Sequence, residues 1–284
     1  MVTGSGGQLG NELKNIAADH PTYTFLFTTR GNLPIEDFAA VENYFTRHQI
    51  NYCINCAAYT AVDMAETERE KAFLINALAV GNLAETCHRH KVQLIHISTD
   101  YVFDGTVQQP YKETAITNPI NIYGGSKLKG EQLALLYNPS AVIIRSSWLY
   151  SSFGNNFVKT VLRLMKERES INVINDQKGC PTYAADLANV IMQIITQLPI
   201  VNCPLPNVFN YTNSGTTNWY EFAMTIKQFI RSNCIINPIK SIQYPTAAKR
   251  PQYSVLDTSK IREVLDIRIP NWKDSLQKCL QRLM

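Results

Sequence analysis

The chain has 284 residues, enough to bury a full core in one large domain or in two that share a cleft. Its apolar content of 45%, charged content of 18% and net charge of +4 are those of an ordinary globular protein, without a Lys/Arg block to hold nucleic acid. No apolar run is long enough to span a bilayer, no signal peptide opens the chain, and the seven scattered cysteines suit reduced thiols in a cytoplasm.

Met1-Val2-Thr3 reads as a strand only about three residues long, so either the native chain starts upstream or the first strand is this short. Gly4, Gly7 and Gly10 follow with Gly-x-x-Gly-x-x-Gly spacing, ahead of an amphipathic helix from Gln8 to Ala18. A tight turn, a backbone free to approach a pyrophosphate and a helix N-terminus aimed at it are what a dinucleotide requires. A glycine-rich turn without a ligand is the bland alternative, and the helix behind the loop favours nucleotide binding. Tyr23–Thr28 reads as a second strand. It ends in Thr29 and Arg30, where a carboxylate would repel a 2′-phosphate and a hydroxyl beside a guanidinium would accept one. This leans toward NADPH, with NADH left open and Arg30 as a plain surface residue the alternative.

A helix over Phe38–His48 leads to a strand over Tyr52–Ala57 and the loop Ala58-Tyr59-Thr60. Cys53 and Cys56 form a Cys-x-x-Cys inside that strand, where alternation sends them to opposite faces; a structural role is expected for both. Glu66–His90 reads as one long helix with Asn76 on its inner stripe, able to satisfy nearby backbone or water. The apolar strand Gln93–Ser98 ends in Thr99-Asp100-Tyr101, as a buried parallel strand does on opening into a cleft. After a polar loop from Gly105 to Pro119, the helix Asn121–Tyr137 carries Tyr123 and Lys127 on one face, and a strand over Ala141–Arg145 follows.

Repeated strand–helix units predict an α/β fold with a doubly wound parallel sheet of the Rossmann type over residues 1–149. Residues 150–284 read as a smaller domain that binds substrate, with elements near 207–233 returning to the main sheet. Its pieces are helices over Phe157–Glu169, Ala185–Gln197 and Trp219–Arg231, a short strand at Val173, a polar loop over Asn175–Thr182 and a strand over Val208–Tyr211.

A hydroxyl, a phenol and an ammonium at the end of a central strand form a device for delivering a proton. A free phenol has a pKa of about 10, so transfer near neutrality asks for a lowering of roughly two or three units, which Lys127 and an oxidised nicotinamide could supply. Thr99 would hold the substrate oxygen in line. Packing and solvation alone are the competing reading of Tyr123 and Lys127.

The glycine loop, Ser98-Thr99-Asp100-Tyr101-Val102-Phe103 and Tyr123-x-x-x-Lys127 together resemble the extended short-chain dehydrogenase/reductase superfamily. More narrowly, the stretches Asn55–Asp63, Arg145–Tyr150, Gly154–Phe157 and Val173–Gln177, with Ala247-Ala248-Lys249-Arg250-Pro251 near the end, resemble the dTDP-4-dehydrorhamnose reductase family over nearly the whole chain. That resemblance implies NAD(P)H-dependent reduction of the C4 ketone of dTDP-4-dehydro-L-rhamnose to dTDP-L-rhamnose, for cell-surface polysaccharide. It implies a catalytic set of Thr99, Tyr123 and Lys127, and a substrate pocket with Thr99, Asp100 and Trp148. It implies a cofactor site at Gly7, Gln8, Leu9, Thr29, Ala58, Tyr59 and Thr60, with Lys127 on the nicotinamide ribose; the loop adds Gly4 and Gly10, and the charge argument Arg30. Some relatives dimerise around magnesium. Glu12 fits one ligand position, but Ala185 stands at another, so no metal site is expected and the chain would be a monomer or homodimer. Two rivals come from the same resemblance: a non-catalytic NADP-binding regulatory subunit of the methionine adenosyltransferase type, and a nucleotide-sugar epimerase.

Overall fold

A computed structural model describes residues 1–197 and 208–283; Cys203 and position 207 fall outside them. The centre is a sheet of five parallel strands in the order β1 (Val2–Thr3), β2 (Tyr52–Asn55), β3 (Gln93–Thr99), β4 (Val142–Ser146) and β5 (Val208–Asn210). The chain leaves β1 toward one side of the sheet and returns as β2 on the other. The crevice at the carboxyl ends of these two strands is therefore a topological switch point, where open α/β sheets bind ligands. β3 and β4 are buried along almost their whole length, through Leu94, Ile95 and the half-buried Ile97 in β3 and Val142, Ile143 and Ile144 in β4, as strands covered on both faces must be.

The expected strand over Tyr23–Thr28 is reduced to one parallel bridge, Val2 to Phe27. Its backbone exchanges hydrogen bonds with Val2, Val2 N–H to Leu26 O at 2.8 Å and Thr28 N–H to Val2 O at 2.9 Å, and past the end of β1 Thr28 O accepts from Ser5 N–H at 2.9 Å. A two-residue β1 offers no longer ladder to pair with. The expected helix over Glu66–His90 begins at Arg69 and is interrupted at Leu74–Leu78 by a π-helical turn before continuing over Ala79–Arg89. The loop after Asn175 contains two short strands, Lys178–Gly179 and Thr182–Tyr183.

Two apolar layers sandwich the sheet. One packs the helix Gln8–Ile16 with Ala184–Gln197 and Ser259–Leu265, through Leu13, Ile191 and Ile261; the other packs Phe38–Arg47 and Ala79–Arg89, through Val41 and Leu83. A further core joins the helices Phe157–Glu167, Trp219–Ile230 and Trp272–Leu283 to the parallel strand pair Ser170–Ile174 and Ile235–Ile239. Within the stretch expected to rejoin the main sheet, β5 does so. The helix Trp219–Ile230 instead buries Phe222, Ala223 and Ile226 in this further core. Among the described residues, no helix is long and apolar enough to cross a membrane.

Candidate active site

β3 ends at Thr99 and a single 3-10 turn, Asp100–Val102, carries the chain away from the sheet. The helix Ile122–Tyr137 is started beside it by Asn121, whose side-chain oxygen accepts from Gly124 N–H at 2.7 Å. Gly124 allows this helix to approach: a Cβ there would stand 2.1 Å from Tyr101 O. The close approach brings the Tyr123 phenol to the end of β3, beside Thr99. Thr99 in turn donates to Asp100 Oδ1 at 3.1 Å. One turn further along, Lys127 is buried at 2% exposure, donating to Ile97 O at 2.7 Å with His96 Nε2 at 3.3 Å.

These surroundings correct the expected electrostatics. Burial pushes the Tyr123 phenol up to about 12, the Asp100 carboxylate adds to the rise, and the Thr99 hydroxyl opposes it. Lys127 does not pull the phenol down because its Nζ is turned to Ile97 O and His96, and burial lowers its own pKa to about 8. Asp100 is raised to about 7, mainly by burial. The phenol is therefore a held acid throughout the neutral range, ready to give a proton rather than take one.

All of the residues expected in the site meet in one cleft of about 980 Å³, large for a small-molecule pocket. At one end lies the glycine loop with Gln8 and Leu9. A Cβ at Gly10 would stand 2.4 Å from Ser5 Cα, so the helix packs on the loop only with glycine there. The helix behind it has no side-chain cap, and the buried Ser5 hydroxyl has no partner, which leaves donors for an anion. Thr29 and Arg30 form the adjoining wall. Arg30 is paired with Glu36 at 2.9 Å, a neighbour that the sequence did not single out. Ala58, Tyr59 and Thr60 line the opposite wall, and Tyr59 is clamped by Asn76. Asn76 accepts from Tyr59 N–H at 2.8 Å and donates to Tyr59 O at 2.9 Å and Ser126 Oγ at 3.0 Å. The uncapped helix, the orphaned Ser5 hydroxyl and the glycine cradle fit a dinucleotide.

The other end of the cleft holds Thr99, Asp100 and Trp148. Trp148 adopts a left-handed backbone (φ 48°) uncommon for a bulky residue, and its indole stacks on Trp219 at 3.5 Å and 9°. Gly179 backs the indole, since a Cβ there would come within 2.6 Å of it. Trp219 comes from a helix far along the chain, and nothing local in the sequence marked it. Also unmarked was the buried network beneath the site, in which Glu131 accepts from Ser98 Oγ at 2.5 Å and from Arg145 Nη2 at 2.7 Å.

The described cysteines are free; Cys53 is buried, whereas Cys56 lines the cleft just past the end of β2. Among the described residues, no group of three or more His, Cys, Asp or Glu side chains could hold a metal ion. Glu12 is engaged instead by Ser151 at 2.6 Å and Arg282 at 2.9 Å.

Residues 1–284 match the family model described as the RmlD substrate binding domain. The chain is 38% identical over 283 residues to a dTDP-4-dehydrorhamnose reductase of Aggregatibacter actinomycetemcomitans, covering 98% of this chain and 96% of that one. It is 37% identical over 281 residues to the spore coat polysaccharide biosynthesis protein SpsK of Bacillus subtilis, covering 99% and 96%. The crystal structure of dTDP-4-dehydrorhamnose reductase from Bacillus anthracis in complex with NADP superimposes with a TM-score of 0.93 at 36% identity, covering 99% of this chain and 98% of that one.

Proposed function

Because the chain belongs to the RmlD substrate binding domain family, we propose that it is an NADPH-dependent reductase that converts the C4 ketone of dTDP-4-dehydro-L-rhamnose to the alcohol of dTDP-L-rhamnose. The observation that carries this reading is the convergence of Thr99, Tyr123 and Lys127 on the cleft that also holds the glycine loop and Trp148.

NADPH, when bound, supplies the hydride to the carbonyl carbon. Gly4, Gly7, Gln8, Leu9 and Gly10 hold its pyrophosphate, Thr29 and Arg30 its adenosine end, and Ala58, Tyr59 and Thr60 the adjoining wall. Thr99 holds the C4 oxygen in line, and Tyr123 Oη gives it the proton as charge develops there. In this low-dielectric pocket a phenol held protonated gives its proton only when that charge arrives. Lys127 binds the nicotinamide ribose and stabilises the phenolate left behind. Trp148, backed by Trp219, offers a flat apolar wall to the C6 methyl, and Asp100 a polar group to the ring. The reaction belongs in the cytoplasm, in the synthesis of rhamnose for cell-surface polysaccharide, with the protein acting as a monomer or homodimer.

The test is NADPH absorbance with purified protein and dTDP-4-dehydro-L-rhamnose, beside its C5 epimer and UDP-sugar controls. The reading expects one NADPH consumed per sugar reduced. Cofactor binding without consumption would point to a regulatory protein, and sugar conversion without net consumption to an epimerase.

A further inference from the structure

Four buried side chains from four elements form a chain of hydrogen bonds beneath the cleft. Thr3 on β1, Asn55 on β2 and His96 on β3 are fully buried, and Lys127 is 2% exposed. Asn55 Oδ1 accepts from Thr3 Oγ1 at 2.6 Å and from Ala57 N–H at 3.2 Å. The backbone N–H can only donate, so it fixes which end of the amide is oxygen. The amide nitrogen of Asn55 is then the atom 3.0 Å from His96 Nδ1, and it too can only donate. Nδ1 must therefore be the ring's acceptor, and a neutral imidazole carries its proton on Nε2. Nε2 faces Lys127 Nζ at 3.3 Å. An ammonium has no lone pair to receive that proton, whereas an amine does while still donating to Ile97 O at 2.7 Å.

We infer that His96 is a positioning residue for Lys127: held in the Nε2–H tautomer by Thr3 and Asn55, it donates to the lysine and favours its neutral amine over the ammonium. Binding of the nucleotide then draws a proton from solvent onto whatever fraction of the lysine is amine, restoring the ammonium. The other groups facing Lys127 do not undo this. Glu131, on its own helix, favours the charged form, and burial outweighs it, leaving the lysine lowered to about 8. The Cys56 thiol at the end of β2 is held protonated by burial, and so is Tyr123. His96 does not take a second proton, because burial holds it well below its ordinary value.

The experiment is nitrogen NMR of the full ligand-free chain labelled in histidine, with the His96 signals assigned by their loss in His96→Gln. The expected result is an unprotonated Nδ1 and a protonated Nε2, with shifts that inflect near pH 8 in the wild type and not in Lys127→Met. In Asn55→Asp an acceptor replaces the donor at Nδ1, so the ring proton should move to Nδ1 and the inflection should rise by about one pH unit or more. A merely structural His96 would show neither the inflection nor the reversal. A proton on Nδ1 in the wild type, or no inflection between pH 7 and 9, would overturn the inference. Calorimetry of NADPH binding in buffers of differing ionisation enthalpy should show uptake approaching one proton at pH 9 and none at pH 6; equal uptake at both would overturn the recharging step. That second measurement rests on the reductase reading. The tautomer, measured without nucleotide, stands or falls separately from it.

Discussion

Replacing Glu131 by Gln separates what the buried network does for the fold from what it does for the site. Glu131 and Arg145 are 4% and 6% exposed, and the carboxylate receives Arg145 Nε at 3.0 Å, Arg145 Nη2 at 2.7 Å and Ser98 Oγ at 2.5 Å. The amide in Glu131→Gln points an N–H₂ group at part of that ring of donors and leaves the guanidinium buried without a counter-charge. Arg145 keeps its bond to Glu113 O at 3.2 Å and whatever the remaining amide oxygen can accept. Stranding one partner of such a pair costs about 3–5 kcal/mol. With a urea slope of about 3 kcal/mol/M, the unfolding midpoint should fall by roughly 1–2 M. Removing the stranded charge as well, in Glu131→Gln with Arg145→Met, should recover most of that loss, so the two changes are strongly non-additive. The electrostatic effect should not recover. Glu131 is the anion that supports the Lys127 charge, and in both variants the alkaline fall of kcat/KM should move to lower pH. A loss below about 1 kcal/mol in Glu131→Gln, or a double variant as unstable as the sum of the singles, would refute the reasoning.

Three further outcomes are expected. Tyr123→Phe should retain NADPH binding and lose turnover by about 10²–10⁴-fold, the usual worth of a positioned acid; near-normal turnover would remove the phenol from the reaction. Asp100 is raised above its ordinary value to about 7, so its contribution to stability is full below about pH 4 and is lost as the pH rises through 7. The unfolding free energy of Asp100→Asn should therefore gain on the wild type between pH 5 and 8, by about 3 kcal/mol, and a constant gap would refute the burial account. Arg30→Ala should weaken NADPH more than NADH, whereas Glu36→Gln, which frees Arg30 from its 2.9 Å partner, should strengthen NADPH by roughly two- to fivefold at low salt. Equal effects on the two nucleotides would show that Arg30 does not read the 2′-phosphate.

What the sequence made legible was local or periodic. Gly4, Gly7 and Gly10 mark the loop because only their spacing permits it, and Leu94, Ile95 and Ile97 mark β3 as a central strand because burial on both faces calls for apolar neighbours on both. Tyr123 and Lys127 share a face through helical spacing alone. What stayed hidden depends on chain segments that are distant in sequence. Trp219 reaches Trp148 from the far side of a second core. Asn76 was legible as a polar residue able to satisfy nearby backbone, but not its partner Tyr59 nor the π-helical turn in which it sits. The shortened strand at Tyr23–Thr28 has strand-like residues, and its partner is too short to complete a ladder. The rise in the Tyr123 pKa stayed hidden for the same kind of reason. A lysine four residues away counts as a neighbouring cation in one dimension, but here it is turned onto Ile97 O and His96.

The charge state of the cleft floor follows from these placements. Burial pushes Asp100 toward its acid and keeps Tyr123 a phenol, so the two groups move toward their uncharged forms. A floor with little fixed charge exerts little pull on the neutral ketone of the ground state. As hydride arrives, negative charge grows on the C4 oxygen in a medium where each hydrogen bond to it is strong, and the Thr99 hydroxyl and Tyr123 phenol stand ready to answer it. Interactions that strengthen only as that charge develops lower the barrier rather than tighten ground-state binding. On this argument the high pKa of Tyr123 is not an obstacle to reduction. An acid weak enough to stay protonated until the oxyanion forms loses nothing to ionisation beforehand, and the lysine's charge is required only once the phenolate exists.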